Sequence, residues 1–257
     1  MSNYEENFDL ALELYKTGKS LTQIGKELGV NRKRLSKDFK ELGINVLPNG
    51  QKHLYNYNVF KQIDTEEKAY WLGFLYADGY INIDKGIELT LAEYDYDHLV
   101  KFRDFIGDKS IKISYKESCK AYRVCINSKE IAQDLINLGC KQAKSLTLTF
   151  PTSEQVPEYL IHHFMRGYFD GDGCVYDCYD QKAFSILGTH DFLNKYEEYL
   201  LLALEREYPT KRLHDKRHSE NTEFIQYTGN LQSKKWFSFL YNNATIYLER
   251  KYNKFNL

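Results

Sequence analysis

Two nine-residue segments constrain this chain more than anything else in it: WLGFLYADG at residues 71–79 and MRGYFDGDG at residues 165–173. Laid over one another, they match Gly73 with Gly167, Ala77 with Gly171, Asp78 with Asp172 and Gly79 with Gly173. Each follows a helical run. Thr65-Glu66-Glu67 opens the first, and Pro157-Glu158 opens the second, with proline near the first helical position. Each is followed by segments that alternate apolar and polar residues as strands do. After the first come GYINID, GIELTLAE, a helix around Tyr96–Phe105, SIKISYK, AYRVCIN and a helix over Ser128–Leu138. After the second come GCVYDCY, KAFSILG, a helix over Asp191–Arg206, weaker strands near 209–215 and 222–228, and a helix over 230–241. Both halves read αββαββα, so the pattern predicts an α+β fold with an internal duplication of roughly ninety residues.

A glycine inside a helix costs about 0.5–1 kcal/mol relative to alanine, so glycines placed there in both copies ask for a compensation. Gly73 and Ala77, like Gly167 and Gly171, stand four residues apart, which gives each helix a stripe almost free of side chains. If the stripes face each other, the two backbones approach closely across a pseudo-twofold axis and the helix ends lie side by side. Gly79 and Gly173 are then expected in the left-handed cap conformation, and Asp78 and Asp172 are expected to meet. A carboxylate at a helix C-terminus opposes the macrodipole, and two of them repel unless a cation intervenes. The pair is unfavourable as structure and sensible as a divalent-metal site, where oxygen ligands select hard cations such as Mg²⁺. A lone Asp-Gly would read as an ordinary turn; two in matched contexts argue against that.

The first 44 residues read as helices. Phe8, Leu12 and Tyr15 recur at helical spacing between Tyr4 and Lys16, and Gly18 stops that run. Ser20 with Gln23 completes a capping-box pattern for a helix through Leu28, which Gly29 ends. A third helix runs from Arg32 to Leu42 and closes at Gly43. Two short helices joined by a tight glycine turn behind a supporting helix make a small all-α helix-turn-helix domain. Its expected core is Leu21, Ile24, Leu28, Val30, Leu35, Phe39 and Leu42. From Lys19 to Lys52 stand eight cationic residues against three carboxylates. Asn31, Arg32, Lys33, Arg34 and Lys37 lie where a recognition helix would enter the major groove. A plain three-helix module with a solvated basic face would carry the same charges. Residues 45–64 show no clear period, contain Pro48 and Gly50, and read as a linker that could follow DNA through Lys52, His53 and Lys61.

The whole chain of 257 residues has a formal net charge of −1, so a nucleic-acid reading must rest on local charge. No apolar run of about eighteen residues occurs, so no membrane span is expected. The opening MSNYEENFDL lacks the basic and apolar regions of a secretory signal. Cys119, Cys125, Cys140, Cys174 and Cys178 suit neither a disulfide framework nor a zinc set, and a reduced, cytoplasmic location is the expectation.

In their contexts, AYWLGFLYADGYI and HHFMRGYFDGDGCV, the two segments resemble the paired motifs of a LAGLIDADG homing endonuclease in its single-chain form, from about Thr65 to the C-terminus. The resemblance implies a saddle of two antiparallel sheets straddling double-stranded DNA, with the motif helices at the centre of a monomer. It implies cleavage of both strands at a long, rarely occurring site. Mg²⁺, or another hard cation such as Mn²⁺, would be held by Asp78 and Asp172. It also implies a basic residue near each cleavage centre. The candidates are Lys144 in KQAKSLTL and Lys251 in LERKYNKF, with Lys141 and Arg250 as substitutes.

The strands add a surface of their own. Lys112, Ser114 and Lys116 share one face opposite Ile111, Ile113 and Tyr115; Arg123 and Asn127 oppose Tyr122, Val124 and Ile126. This polar, cationic face suits groove contact, and an ordinary solvated face would look the same. Lys211, Arg212, Lys216 and Arg217, near His214 and His218, suit a hairpin gripping phosphates in the second half. His162 and His163 are expected to pack or face solvent, and Asp170 matches Tyr76, which speaks against a symmetric metal role. The domains are then 1–44, the linker 45–64, and 65–257 with halves meeting near residue 150. A transcription regulator on an endonuclease scaffold and an intron maturase remain alternatives; the presence of both motif acids favours the nuclease.

Overall fold

The computed structural model describes residues 3–17, 19–44, 46, 55–107, 109–140, 147–210, 213–214 and 222–255. It divides into two compact units, Met1–Asn56 with Arg103–Lys112, and Tyr57–Phe102 with Ile113–Leu257.

The first unit is built on α1 (Asn3–Lys16), α2 (Leu21–Leu28) and α3 (Arg32–Glu41). The Ser20 hydroxyl accepts from the Gln23 amide while the Gln23 side chain accepts from the Ser20 N–H, satisfying donors that the first turn of α2 leaves unpaired. Asn31 does the same for α3, its Oδ1 accepting from Lys33 N–H at 2.8 Å and Arg34 N–H at 3.4 Å. Ala11, Tyr15, Leu21, Ile24, Leu35 and Phe39 form the core, with Phe8 edge-on to Phe39 at 5.4 Å. Leu42, expected in that core, is 61% exposed. The helix stops at Glu41, which takes Leu42 off the buried stripe, and Ile44 packs against the core instead.

In the second unit, apart from the last four residues of α5, the first series of elements is α4 (Glu66–Asp78), β1 (Gly79–Asn82), β2 (Gly86–Ala92), α5 (Tyr96–Ile106), β3 (Ile113–Lys116), β4 (Ala121–Ile126) and α6 (Lys129–Asn137). The second series is α7 (Ile161–Asp172), β5 (Gly173–Cys178), β6 (Gln181–Thr189), α8 (His190–Leu204), β7 (Leu213–His214), β8 (Thr222–Thr228) and α9 (Asn230–Tyr241), followed by α10 (Glu249–Lys254). Each series makes one antiparallel four-stranded sheet, in the orders β1-β2-β4-β3 and β5-β6-β8-β7. Alternation fixes which face is buried. Ile81, Ile87, Leu89, Leu91, Val124 and Ile126 line the inner face of the first sheet; Val175, Phe184, Ile186, Ile225 and Tyr227 line that of the second. The outer faces carry Tyr80, Glu88, Thr90 and Arg123 in one, and Tyr176, Ser185 and Gln226 in the other.

Three boundaries differ from the sequence reading. Pro157-Glu158 does not open α7: Glu158–Leu160 forms a 3₁₀ turn first, and α7 begins at Ile161. The short α10 has no counterpart in the sequence reading, although Leu248, Lys251 and Phe255 are its buried residues and flank. The segment read as a linker is packed over its second part: Tyr55 bridges to Gly107, and Val59, Phe60 and Ile63 are buried. They are buried from turns, which leave no period in the sequence. Among the described residues no helix is long and apolar enough to cross a membrane.

Candidate functional site

The centre of the second unit is the pair α4 and α7. Residues 69–77 of α4 and 164–170 of α7 are buried without a break. A Cβ added at Gly73 would collide with the Phe164 carbonyl and the Tyr168 amide; one added at Gly167 would collide with the Tyr70 carbonyl and the Phe74 amide. The contact is reciprocal and runs backbone to backbone. One turn further on, a Cβ at Gly171 would strike that of Ala77, with Asp78 Oδ2 at 3.3 Å from the same point. This order of contacts means that the helices run the same way and finish together.

Gly79 and Gly173, expected in left-handed caps, are extended instead, at φ −71° and −81°. Glycine is needed there for room: a Cβ would run into the carbonyl and side chain of Leu75 in one case and of Phe169 in the other. The extended geometry lets β1 and β5 begin as soon as each helix ends.

Asp78 and Asp172 are the last residues of the two helices, the first exposed and the second half-buried. Both carboxylates act on the same two groups, the Tyr168 phenol and the Lys251 ammonium. The Tyr168 hydroxyl donates to the Leu187 carbonyl at 2.8 Å, and burial, then the Asp172 charge, push its pKa well above the usual phenol range. Lys251 is 5% exposed, and its Nζ donates to the carbonyls of Phe169 at 2.9 Å and Gly171 at 2.7 Å. A cation complements the dipole at a helix end, where carbonyls lack helical partners. Burial pulls the Lys251 ammonium down to about 8, against the opposing charges of Asp170, Asp78 and Asp172. Arg250, the substitute, is engaged elsewhere: it forks onto Asp95 at 2.9 and 3.1 Å and stands over the Tyr94 ring. Lys144 and Lys141 lie outside the described residues.

Sequence reasoning missed a buried polar network beside this pair. Asp170, 1% exposed, accepts from the Tyr70 hydroxyl at 2.8 Å, the Tyr241 hydroxyl at 2.6 Å and the Leu248 N–H at 2.7 Å. With the Tyr70 O–H donating to Asp170, its oxygen is left to accept from His98 Nε2 at 2.9 Å, which corresponds to the Nε2–H tautomer. Arg166, fully buried, donates to Glu66 at 2.6 Å and to the carbonyls of Ile246 and Leu240, both at 2.9 Å. His163 Nδ1 lies 2.8 Å from Arg166 Nη1, and burial, then that guanidinium, pull the imidazole down to about 4. His162, half-buried, lies against it with ring centroids 3.8 Å apart and the rings tilted by 39°. The signal in the sequence was Arg166 and Asp170, four residues apart in a largely apolar helix. On the other side of the helix pair Tyr76 holds the place of Asp170, edge-on to Phe164 at 4.9 Å, with its hydroxyl on the Leu138 carbonyl.

The remaining candidates lie apart from this centre in the sequence. On α3, Arg32, Lys33, Arg34 and Lys37 are exposed, and the pairs Arg34–Asp38 at 4.0 Å and Lys37–Glu41 at 3.7 Å are too solvated to hold them tightly. Asn31 has a narrower role than expected, because its Oδ1 is occupied by the cap and only its amide nitrogen is left to donate. Lys112 and Lys116 are exposed. Arg123 is half-buried, 3.5 Å from Glu88 and 3.3 Å from the Ser114 hydroxyl, so that face is less cationic than its spelling suggested. Lys211, Arg212, Lys216 and Arg217, like Lys52 and His53, fall outside the described residues.

As a metal site the centre offers oxygen alone. Among the described residues no three His, Cys, Asp or Glu side chains gather as a ligand set. Two carboxylates at adjoining helix ends, one of them exposed, fit a hard divalent cation that keeps water or substrate oxygens as its other ligands.

No family model matches the chain, and a comparison with curated proteins finds no match. Among solved structures it is similar to the LAGLIDADG meganuclease I-AabMI bound to uncleaved DNA, at 13% identity over 72% of this chain and 86% of that one, with a TM-score of 0.45. It is similar to the I-SmaMI LAGLIDADG homing endonuclease bound to cleaved DNA, at 14% identity over 75% and 87%, with a TM-score of 0.47. The I-LtrWI LAGLIDADG homing endonuclease bound to target DNA gives 11% identity over 77% and 88%, with a TM-score of 0.43. Likenesses this distant decide neither family nor function.

Proposed function

We propose that this chain is a site-specific DNA endonuclease that cuts both strands of a duplex at a long recognition site. One observation carries the reading: Asp78 and Asp172 end two helices in backbone contact, with the Lys251 ammonium held under the second. Neither carboxylate helps its own helix, since each opposes the dipole there. The resemblance of both motif segments to the LAGLIDADG pair supports the same chemistry.

Asp78 and Asp172 would hold a divalent cation, Mg²⁺ or Mn²⁺. When bound, it supplies Lewis-acid stabilisation of the phosphodiester and lowers the pKa of a water ligand. The protein's own groups do the rest. Gly73 and Gly167 set the distance between the helix ends, and so between the two carboxylates. Lys251 places a fixed positive charge beside Asp172, where negative charge builds on phosphate oxygens in the transition state. Arg32, Lys33, Arg34 and Lys37 on α3 contribute phosphate and base contacts. Both motif acids belong to one polypeptide, so a monomer suffices.

The test starts from a randomised duplex pool from which cleaved sequences are recovered in Mg²⁺, and continues with a plasmid carrying the recovered site. Asp78→Asn and Asp172→Asn are each expected to lower cleavage about a thousandfold while Kd stays within about threefold of wild type, because these groups face phosphate and metal and not bases. Full activity in both variants would end the proposal. Wild-type binding without linear product in Mg²⁺ would point to a regulator instead.

A further inference from the structure

We propose that Asp170 is a positioning residue that seats Lys251 at the end of α7, acting through the Leu248 N–H and the Tyr241 hydroxyl. Its consequence for cleavage rests on the endonuclease reading; the seating itself does not.

The six-residue α10 is too short to hold its own place, and no side chain caps its start. What fixes it is Asp170. One carboxylate oxygen accepts from the backbone of Leu248, the residue before α10, at 2.7 Å, and also from Tyr70 at 2.8 Å. The other accepts from Tyr241, at the end of α9, at 2.6 Å, so the carboxylate is held on both edges. Three residues after Leu248, Lys251 reaches the carbonyls of Phe169 and Gly171, the neighbours of Asp170 on either side. Two consecutive stretches, 169–171 and 248–251, are therefore clamped at adjoining points. A buried carboxylate is a poor choice for stability alone, since an apolar residue of similar volume packs as well or better. Its donors are what distinguish the site: the hydroxyl of α9, the hydroxyl of α4 and the amide that begins α10. The matching position in the other half, Tyr76, instead sends its hydroxyl to Leu138. The clamp thus belongs to the Asp172 side of the centre, and its loss should be felt by one strand of the duplex.

The experiment compares the full-length wild type with Asp170→Asn and Tyr241→Phe; the second keeps the ring and its packing. DNA-free protein is acetylated with an amine-reactive reagent, and modification is read by peptide mass spectrometry. Lys251 should be protected in the wild type and acetylated on the order of tenfold faster in both variants, while the exposed Lys61 reacts equally in all three. On a cleavable duplex labelled on each strand, both variants should lose on the order of tenfold in the rate on one strand and keep the other, so that nicked DNA accumulates. Unchanged protection of Lys251 in both variants overturns the inference. So does an equal loss on both strands, which general loosening of the fold would give. If the wild type cuts no DNA while Lys251 responds as stated, the endonuclease reading falls and the clamp stands.

Discussion

His98 illustrates what a single side chain in this interior is made to do. Its ring is buried among Tyr70, Trp71 and Phe74, donates to one phenol, and is pulled down to about 3, chiefly by burial and then by Lys101. The folded protein therefore binds fewer protons than the unfolded chain between about 3 and the ordinary value of 6.5. Stability from this group is present at neutral pH and is lost as the pH falls from about 6.5 towards 3. His98→Phe should flatten that loss: urea unfolding followed from pH 7 to pH 4 should show the wild type weakening faster than the variant, by up to about 1.4 kcal/mol per pH unit. Equal slopes would mean that the imidazole is not held neutral. Nothing in the sequence around His98 announced this, because its partner Tyr70 lies on another element and the buried chain continues to Asp170 on a third.

At the scale of elements, the helix pair makes the sharpest demand. Gly73→Ala and Gly167→Ala each push a methyl group into a peptide of the facing helix, where no side chain can give way. Each should destabilise the protein by about 3 kcal/mol or more, read as a lower denaturant midpoint with an unchanged slope. A loss below about 1 kcal/mol would show that the helices can part. This contact was legible, because a glycine weakens the helix that holds it, and one at the same place in both helices is tolerable only where backbones must touch. The strands were legible for a similar reason: period two in SIKISYK or KAFSILG leaves one face to bury. What escaped was whatever depends on a remote partner or on crowding. Leu42 follows a helix that stops one residue short, Gly79 and Gly173 are chosen for space and not for positive φ, and Val59, Phe60 and Ile63 are buried without any repeat. Arg166 and Asp170 look like stray charges in the sequence, whereas in the fold Glu66, Tyr70 and Tyr241 stand against them.

For the whole molecule, the formal charge of −1 conceals local charge: among the described residues, α3 carries the exposed cations Arg32, Lys33, Arg34, Lys37 and Lys40. If that helix follows phosphates, the full chain with Arg32→Ala, Lys33→Ala and Arg34→Ala should bind its duplex more weakly. A plot of log affinity against log salt should become shallower by roughly 1 for each phosphate contact removed. An unchanged salt slope would take α3 off the DNA surface. The centre responds to different forces. Where α4 and α7 touch, the opposing atoms are peptide groups, which have no rotamers to adjust and almost no freedom to bend. On the endonuclease reading, that makes the protein a pair of jaws with a gap set at manufacture: the sheets on either side can change residue by residue to suit a new stretch of duplex, while the offset between the two nicks stays as it was.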